Sequence, residues 1–307
     1  MNATDTNNHL LPASIEIGTG TWQWGDRIMW GFGGSYGDDD VRQAFKASLD
    51  AGITFYDTAE LYGFGTSEKL LGRFIRETNA SVLVATKFLP YPWRVFKGQL
   101  MSALRGSLRR LGLPSVDLYQ IHFPSPPIGV ETWANALADA LDQGLTRAVG
   151  VSNYSRMQTI RSHAVLAQRG YPLATNQVEY NLLNRTIERD GTLESARDRG
   201  IKIIAYSPLA KGLLTGKYTV ANPPQGLRRM VSRTTWEILP KLLERMKLIG
   251  DAHGGKSMAQ VALNWTICKG TLPIPGAKNP QQAQHNAGAV GWRLTDDEVA
   301  ELDRLST

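Results

Sequence analysis

Short apolar runs alternate with amphipathic stretches along the 307 residues of this chain, and the two kinds of segment differ in period. Glu16–Gly20, Ile53–Asp57, Val82–Lys87, Asp117–His122, Arg147–Ser152, Thr175–Val178, Ile201–Tyr206 and Thr271–Pro275 read as eight strands. Several are continuously apolar, the pattern of strands covered on both faces of a parallel sheet. Between them, apolar positions recur at helical spacing. Val41, Phe45 and Leu49 form one stripe, and Leu100, Leu104, Leu108 and Leu111 another. Thr66 and Ser67 ahead of Glu68, Leu70 and Leu71 suit a helix start. Gly112, Gly144, Gly170 and Gly200 each follow a helical stretch, where a left-handed cap favours glycine.

Eight strand–helix units predict an α/β fold of the (β/α)₈ TIM-barrel type, with residues 1–307 as a single domain. A doubly wound open sheet is the other arrangement such an alternation allows. No G-x-G-x-x-G opens a first βαβ unit, and no composition break divides the chain. Two connections are long for a compact barrel, Trp22–Gly37 after the first strand and Ser207–Trp236 after the seventh, and such loops are usually functional. Leu294–Leu305 reads as an extra C-terminal helix, and residues 1–13 as a flexible polar segment.

Composition narrows the class. The single cysteine, Cys268, cannot form an internal disulfide and lies in an apolar helical stretch, which predicts an inert thiol in a reducing compartment. The polar N-terminal residues do not resemble a signal peptide, and no apolar run approaches a membrane span, so a cytoplasmic protein with no membrane partner is expected. The net charge of +6 invites a nucleic-acid reading. The basic residues are nonetheless dispersed among acidic ones, so no nucleic-acid partner is expected.

The ends of barrel strands face the active site. Asp57 ends the second strand, with Tyr62 five residues on; Lys87 ends the third and His122 the fourth. Any one of these has an ordinary structural explanation, but four ionisable groups at equivalent strand ends point to chemistry. A phenol is a poor acid at neutral pH unless its anion is stabilised. A nearby ammonium does that, and a carboxylate keeps the ammonium charged and aimed. A histidine can orient a carbonyl oxygen. The set suits protonation of a ketone or aldehyde while a nicotinamide cofactor delivers hydride.

The segments GITFYDTAELYG, VLVATK, DLYQIH, AVGVSN, NQVEYN, AYSPLAKGLLTGKY and IPGAKNPQQAQHN resemble, in order, those of the aldo-keto reductase superfamily. The ATKF…YPWR and GWRLT stretches look most like the plant and cyanobacterial branch that includes pyridoxal reductases. The resemblance implies a barrel that binds NADPH/NADP+ in extended form. It makes Tyr62 the general acid, Lys87 its pKa-lowering partner, Asp57 the carboxylate paired with that lysine, and His122 the group that orients the carbonyl. It further implies that Ser152, Asn153 and Gln177 hold the nicotinamide carboxamide and that Tyr206 stacks on the nicotinamide ring. Ser207, Pro208, Leu209, Gly212 and Lys217 would follow the pyrophosphate. Gly276, Lys278, Gln282 and Asn286 would grip the adenosine end, with Lys278 on the 2′-phosphate and Arg228 or Arg229 as a clasp. Relatives carry an arginine at the position aligned with Gln282, which bears on how strict the NADP preference is.

Trp22, Trp30, Trp93 and Phe123 are expected to wall the substrate pocket, with Trp22 also near the cofactor. That wall suits an apolar, aromatic or pyridoxal-like aldehyde as the small-molecule partner. A monomer or weak homo-oligomer is expected. Two other functions fit parts of the pattern: a barrel aldolase forming a Schiff base on Lys87, and a redox-responsive regulatory subunit with little turnover, as in the potassium-channel β subunits of the same superfamily.

Overall fold

Side chains of a strand alternate between its two faces, so in a closed barrel every second residue points inward. A computed structural model of the chain describes residues 14–306 apart from 225 and 227–229. Its strands are β1 (Thr19–Gly20), β2 (Phe55–Asp57), β3 (Leu83–Phe88), β4 (Val116–Ile121), β5 (Thr146–Ser152), β6 (Thr175–Glu179), β7 (Lys202–Tyr206) and β8 (Leu272–Pro273). They pair in chain order, and each neighbouring pair is parallel. Closure comes from the β1 and β8 edges. The amides of Gly18 and Gly20 donate to the carbonyls of Pro273 and Pro275 at 3.0 and 3.1 Å, and Gly20 bridges Gly276. Glycine is needed there, because a Cβ on Gly20 would lie 2.8 Å from the Ile274 carbonyl oxygen. The expected (β/α)₈ barrel is therefore the fold.

Phe55, Ala85, Leu118, Ile204, Leu272 and Ile274 form an apolar plug inside the barrel. Two residues further along their strands, on the same inward face, stand Asp57, Lys87, Gln120 and Tyr206. A polar layer thus sits directly above an apolar one. The outward-facing Tyr56, Val84, Tyr119, Val149 and Ile203 pack in the main core.

The helices α1 (Asp38–Asp50), α2 (Thr66–Thr78), α3 (Gly98–Leu111), α4 (Val130–Asp142) and α5 (Arg156–Gln168) follow the first five strands. Short α6 (Thr186–Arg189) and α7 (Thr192–Asp198) follow β6, and α8 (Arg233–Ala252) and α9 (Met258–Cys268) follow β7. After β8 come α10 (Pro280–Ala287) and the added α11 (Asp296–Leu305). The predicted stripes face inward, with Val41, Phe45, Leu100, Leu104 and Leu111 fully buried.

Three local expectations change. Strand β1 is shorter than its apolar run, because only Thr19 and Gly20 pair with β2. Ser67 does not cap α2: its hydroxyl donates to the Thr21 carbonyl at 3.0 Å, and the cap is Gly65 in the left-handed region. Trp236 lies inside α8, which begins after its Ser232 cap, so the long seventh connection ends earlier than predicted. The expectations for residues 1–13, Arg228 and Arg229 fall outside the described residues. Among the described residues no helix is long and apolar enough to cross a membrane.

Candidate active site

Lys87 is fully buried, and a buried ammonium needs partners for its three hydrogens. It donates to Asp57 Oδ1 at 2.5 Å, to the Thr58 carbonyl at 2.9 Å and to the Tyr62 hydroxyl at 3.4 Å. Asp57 turns its other oxygen toward the barrel axis. There Oδ2 accepts from Gln177 Nε2 at 2.8 Å and Gln120 Nε2 at 3.4 Å. Gln120 is backed by Thr175, whose hydroxyl donates to Oε1 at 3.2 Å. The polar layer is thus one connected network.

Tyr62 stands at the start of a tight turn, Tyr62–Gly65. Gly63, at φ 54, lets this turn lie against the loop after β1, since a Cβ there would be 2.6 Å from the Gly25 carbonyl oxygen. The His122 ring stands edge-on to Tyr62 at 5.7 Å and stacks flat on Phe123 at 4.8 Å. Among the described residues its buried Nδ1 has no hydrogen-bond partner.

Burial pushes the Tyr62 phenol well above its ordinary pKa, and the Asp57 charge adds to the shift. Burial pulls the Lys87 ammonium down while Asp57 holds it up. Burial, then the Lys87 charge, drives His122 well below its usual value, so its imidazole is neutral at physiological pH. At Tyr62 dehydration dominates, and the Lys87 charge is already paired with Asp57. The resting phenol therefore keeps its proton.

A cavity of about 1120 Å³ opens above this network. Asp57, Tyr62 and His122 line one part, and Ser152, Asn153, Gln177 and Tyr206 line the adjoining strand ends. Asn153, at φ 60, donates from Nδ2 to the His122 carbonyl and the Ser152 hydroxyl, and accepts from the Tyr206 hydroxyl at 2.9 Å. Gln177 gives one Nε2 hydrogen to Asp57, which leaves its second hydrogen and its amide oxygen for a ligand. Ser207, Pro208, Leu209, Gly212 and Lys217 continue the lining. In this stretch Ser207, Ala210 and Lys211 have φ near 50, a conformation that residues other than glycine seldom adopt.

Gly276, Lys278, Gln282 and Asn286 line the far end, beside the start of α10, where Asn279 caps Gln282. Hydroxyl and amide groups, one aromatic face and Lys211, Lys217, Lys256 and Lys278 fit a long anionic ligand with an amide at one end.

Of the expected pocket wall, Trp22, Trp30 and Phe123 line the cavity, whereas Trp93 does not. Trp93 stacks on Tyr91 at 4.6 Å and is largely exposed. Trp24 is a core residue whose indole donates to the Ala277 carbonyl. Cys268 is half-buried with its thiol pKa raised by burial, which suits an inert side chain. Sequence reasoning missed Gln120, Thr175, Gln23, Lys211 and Lys256. Gln120 had a signal, a lone amide inside the run VDLYQI.

A parallel barrel with a protonated phenol at strand-end depth, facing a long cation-lined cleft, has the form of a barrel oxidoreductase. The Aldo/keto reductase family model matches residues 16–307, and the chain belongs to that family. It is 41% identical over 306 residues to the chloroplastic pyridoxal reductase of Arabidopsis thaliana, covering 95% of this chain and 83% of that protein. It is 31% identical over 288 residues to the L-glyceraldehyde 3-phosphate reductase of Escherichia coli K12, covering 87% and 83%. Among solved structures it resembles a glycerol dehydrogenase from Gluconobacter oxydans (TM-score 0.83, 31% identity, 94% of this chain and 90% of that one). It also resembles an aldo/keto reductase from Klebsiella pneumoniae solved with NADP and acetate (TM-score 0.73, 30% identity, 94% and 90%).

Proposed function

We propose that the protein is an NADPH-dependent reductase of aldehydes and ketones in which Tyr62 donates the proton. One observation carries this reading: all three Lys87 hydrogens are committed, and one of them points at the Tyr62 oxygen. A phenol oxygen that accepts from an ammonium turns its own hydrogen away, toward the cavity. Burial keeps that hydrogen in place until a substrate arrives.

NADPH bound along the cleft would supply the hydride. Ser152, Asn153 and Gln177 would hold its carboxamide, Tyr206 would face its ring, and Lys217 and Lys278 would meet its pyrophosphate and 2′-phosphate. As hydride reaches the carbonyl carbon, negative charge gathers on the oxygen. Tyr62 passes its proton there, and the resulting phenolate is met by Lys87, which Asp57 keeps charged and aimed. Neutral His122 can donate one hydrogen bond to the carbonyl, fixing its face without competing as an acid. An alcohol leaves.

For the substrate, Trp22 stacks near Tyr62 at 6.2 Å and Phe123 flanks His122, which favours a flat aromatic aldehyde of the pyridoxal type. The name of the Arabidopsis relative supports the same class.

The aldolase alternative loses support from the geometry of Lys87, whose Nζ is buried, triply bonded and absent from the cavity wall. Tyr62→Phe is the test. Reduction of pyridoxal and other aromatic aldehydes by NADPH should fall by about 10²–10⁴-fold while NADPH affinity stays near wild type. A variant that keeps most of its activity overturns the role of Tyr62. Wild-type protein that binds NADPH but turns over no aldehyde would favour the regulatory-subunit reading.

A further inference from the structure

Lysine ammonium groups at a surface normally extend to water. Lys278 does something different. Its Nζ donates to the Trp30 carbonyl at 3.1 Å and lies 5.0 Å from the Trp30 ring centre and 4.3 Å from that of Tyr36. All three contacts come from one loop, and they join residues 248 apart in sequence at Trp30. From this we infer that Lys278 is a latch for the loop after β1, so that the residue read as a cofactor contact also sets the substrate wall.

The loop is organised to transmit such a contact. Asp26 accepts from the indole Nε1 of Trp22 at 3.0 Å and from the amide of Met29 at 2.7 Å, and more loosely from that of Trp30. Trp22 and Trp30 therefore share one anchor. Tyr36 donates its hydroxyl to the Gln23 carbonyl at 2.6 Å, tying the far end of the loop back to its start. The edge of Trp30 packs on Trp22 at 5.6 Å and 85°, and Trp22 stacks on Tyr62. Two ring contacts separate the Lys278 ammonium from the proposed acid. A cation over two aromatic faces, with a carbonyl acceptor, holds the indole pair as a unit.

Only the kinetic part of the test rests on the proposed carbonyl reduction. Hydrogen exchange of residues 22–37 is measured in cofactor-free wild type, Lys278→Met and Lys278→Arg. The methionine variant should exchange about three- to tenfold faster in that loop, with the rest of the barrel unchanged, while arginine should keep wild-type protection. The KM for an aromatic aldehyde is then measured with NADH, which has no 2′-phosphate. It should rise by a similar factor in Lys278→Met.

Unchanged exchange in Lys278→Met, or exchange in Lys278→Arg as fast as in Lys278→Met, overturns the latch. So does a kinetic defect confined to NADPH, which would leave Lys278 a phosphate contact alone. If no aldehyde is turned over, the carbonyl reading fails while the exchange measurement still decides the latch.

Discussion

Replacing Lys87 by methionine keeps the length of the side chain and removes the charge beneath Tyr62, and two separate losses follow. The first is in stability. Asp57, only 1% exposed, would keep Gln177 and Gln120 on Oδ2 but have nothing on Oδ1. Removing one member of a buried ion pair costs about 3–5 kcal/mol. The second loss is in catalysis. The ammonium lies 3.4 Å from the phenol oxygen, close enough to attract the phenolate although Asp57 already shares its charge. At that separation and an effective dielectric constant of about 20, the attraction is about 5 kcal/mol, and water entering the gap returns part of it. A fall in single-turnover reduction rate of about 10³-fold is expected.

The Lys87→Met, Asp57→Asn double variant separates the two losses. With no uncompensated charge left, about 2 kcal/mol or more of stability should return, while the rate stays low. Urea unfolding at neutral pH, followed by tryptophan fluorescence, reads the first quantity, and rapid mixing with NADPH and aldehyde reads the second. A Lys87→Met rate within tenfold of wild type would refute the role of the charge. A double variant no more stable than the single one would refute the buried-pair account.

Three further outcomes test other parts of the site. Because the folded pKa of His122 lies well below 6.5, its contribution to stability is complete above that pH and is lost as pH falls toward the folded value. Wild type should therefore lose up to about 1.4 kcal/mol per pH unit more than His122→Gln between pH 6 and 5, and parallel pH profiles would contradict this. Gln120→Leu removes one donor to Asp57 and the acceptor of Thr175, so kcat should fall about three- to tenfold and stability by about 1–3 kcal/mol; an unchanged kcat would show that Gln120 serves the fold alone. Gly150→Ala would place a Cβ 2.0 Å from Thr175 Oγ1 and 3.1 Å from Gln120 Cγ, so the barrel should lose at least about 1–3 kcal/mol, and an unaltered urea midpoint would mean that β5 and β6 can part freely.

Much of this molecule is legible without coordinates because a strand repeats every two residues and a helix every 3.6. Local periodicity located all eight strands, and strand alternation together with barrel geometry brought Asp57 and Lys87 to one inward layer, with His122 just beyond it, two residues past Gln120. Tyr62 followed from its loop position behind Asp57. The boundary errors at β1 and α8 are local too, arising where an apolar residue packs without pairing or where a cap comes earlier than the last loop-like residue.

What periodicity could not supply is the set of contacts across the barrel and the degree of dehydration. Gln177 reaches Asp57 from 120 residues away, and Lys278 reaches Trp30 from 248. Trp93 stands in a plausible rim segment yet turns to Tyr91. The pKa of Tyr62 moves upward chiefly through burial, with the Asp57 charge adding to it, and burial depends on how completely the surrounding chain excludes water. Local patterning along the chain settles which chemical groups stand at the strand ends. Which of them touch and which keep their protons is set by packing, because both depend on through-space distance and solvent exclusion, which are properties of the packed barrel and of no single segment.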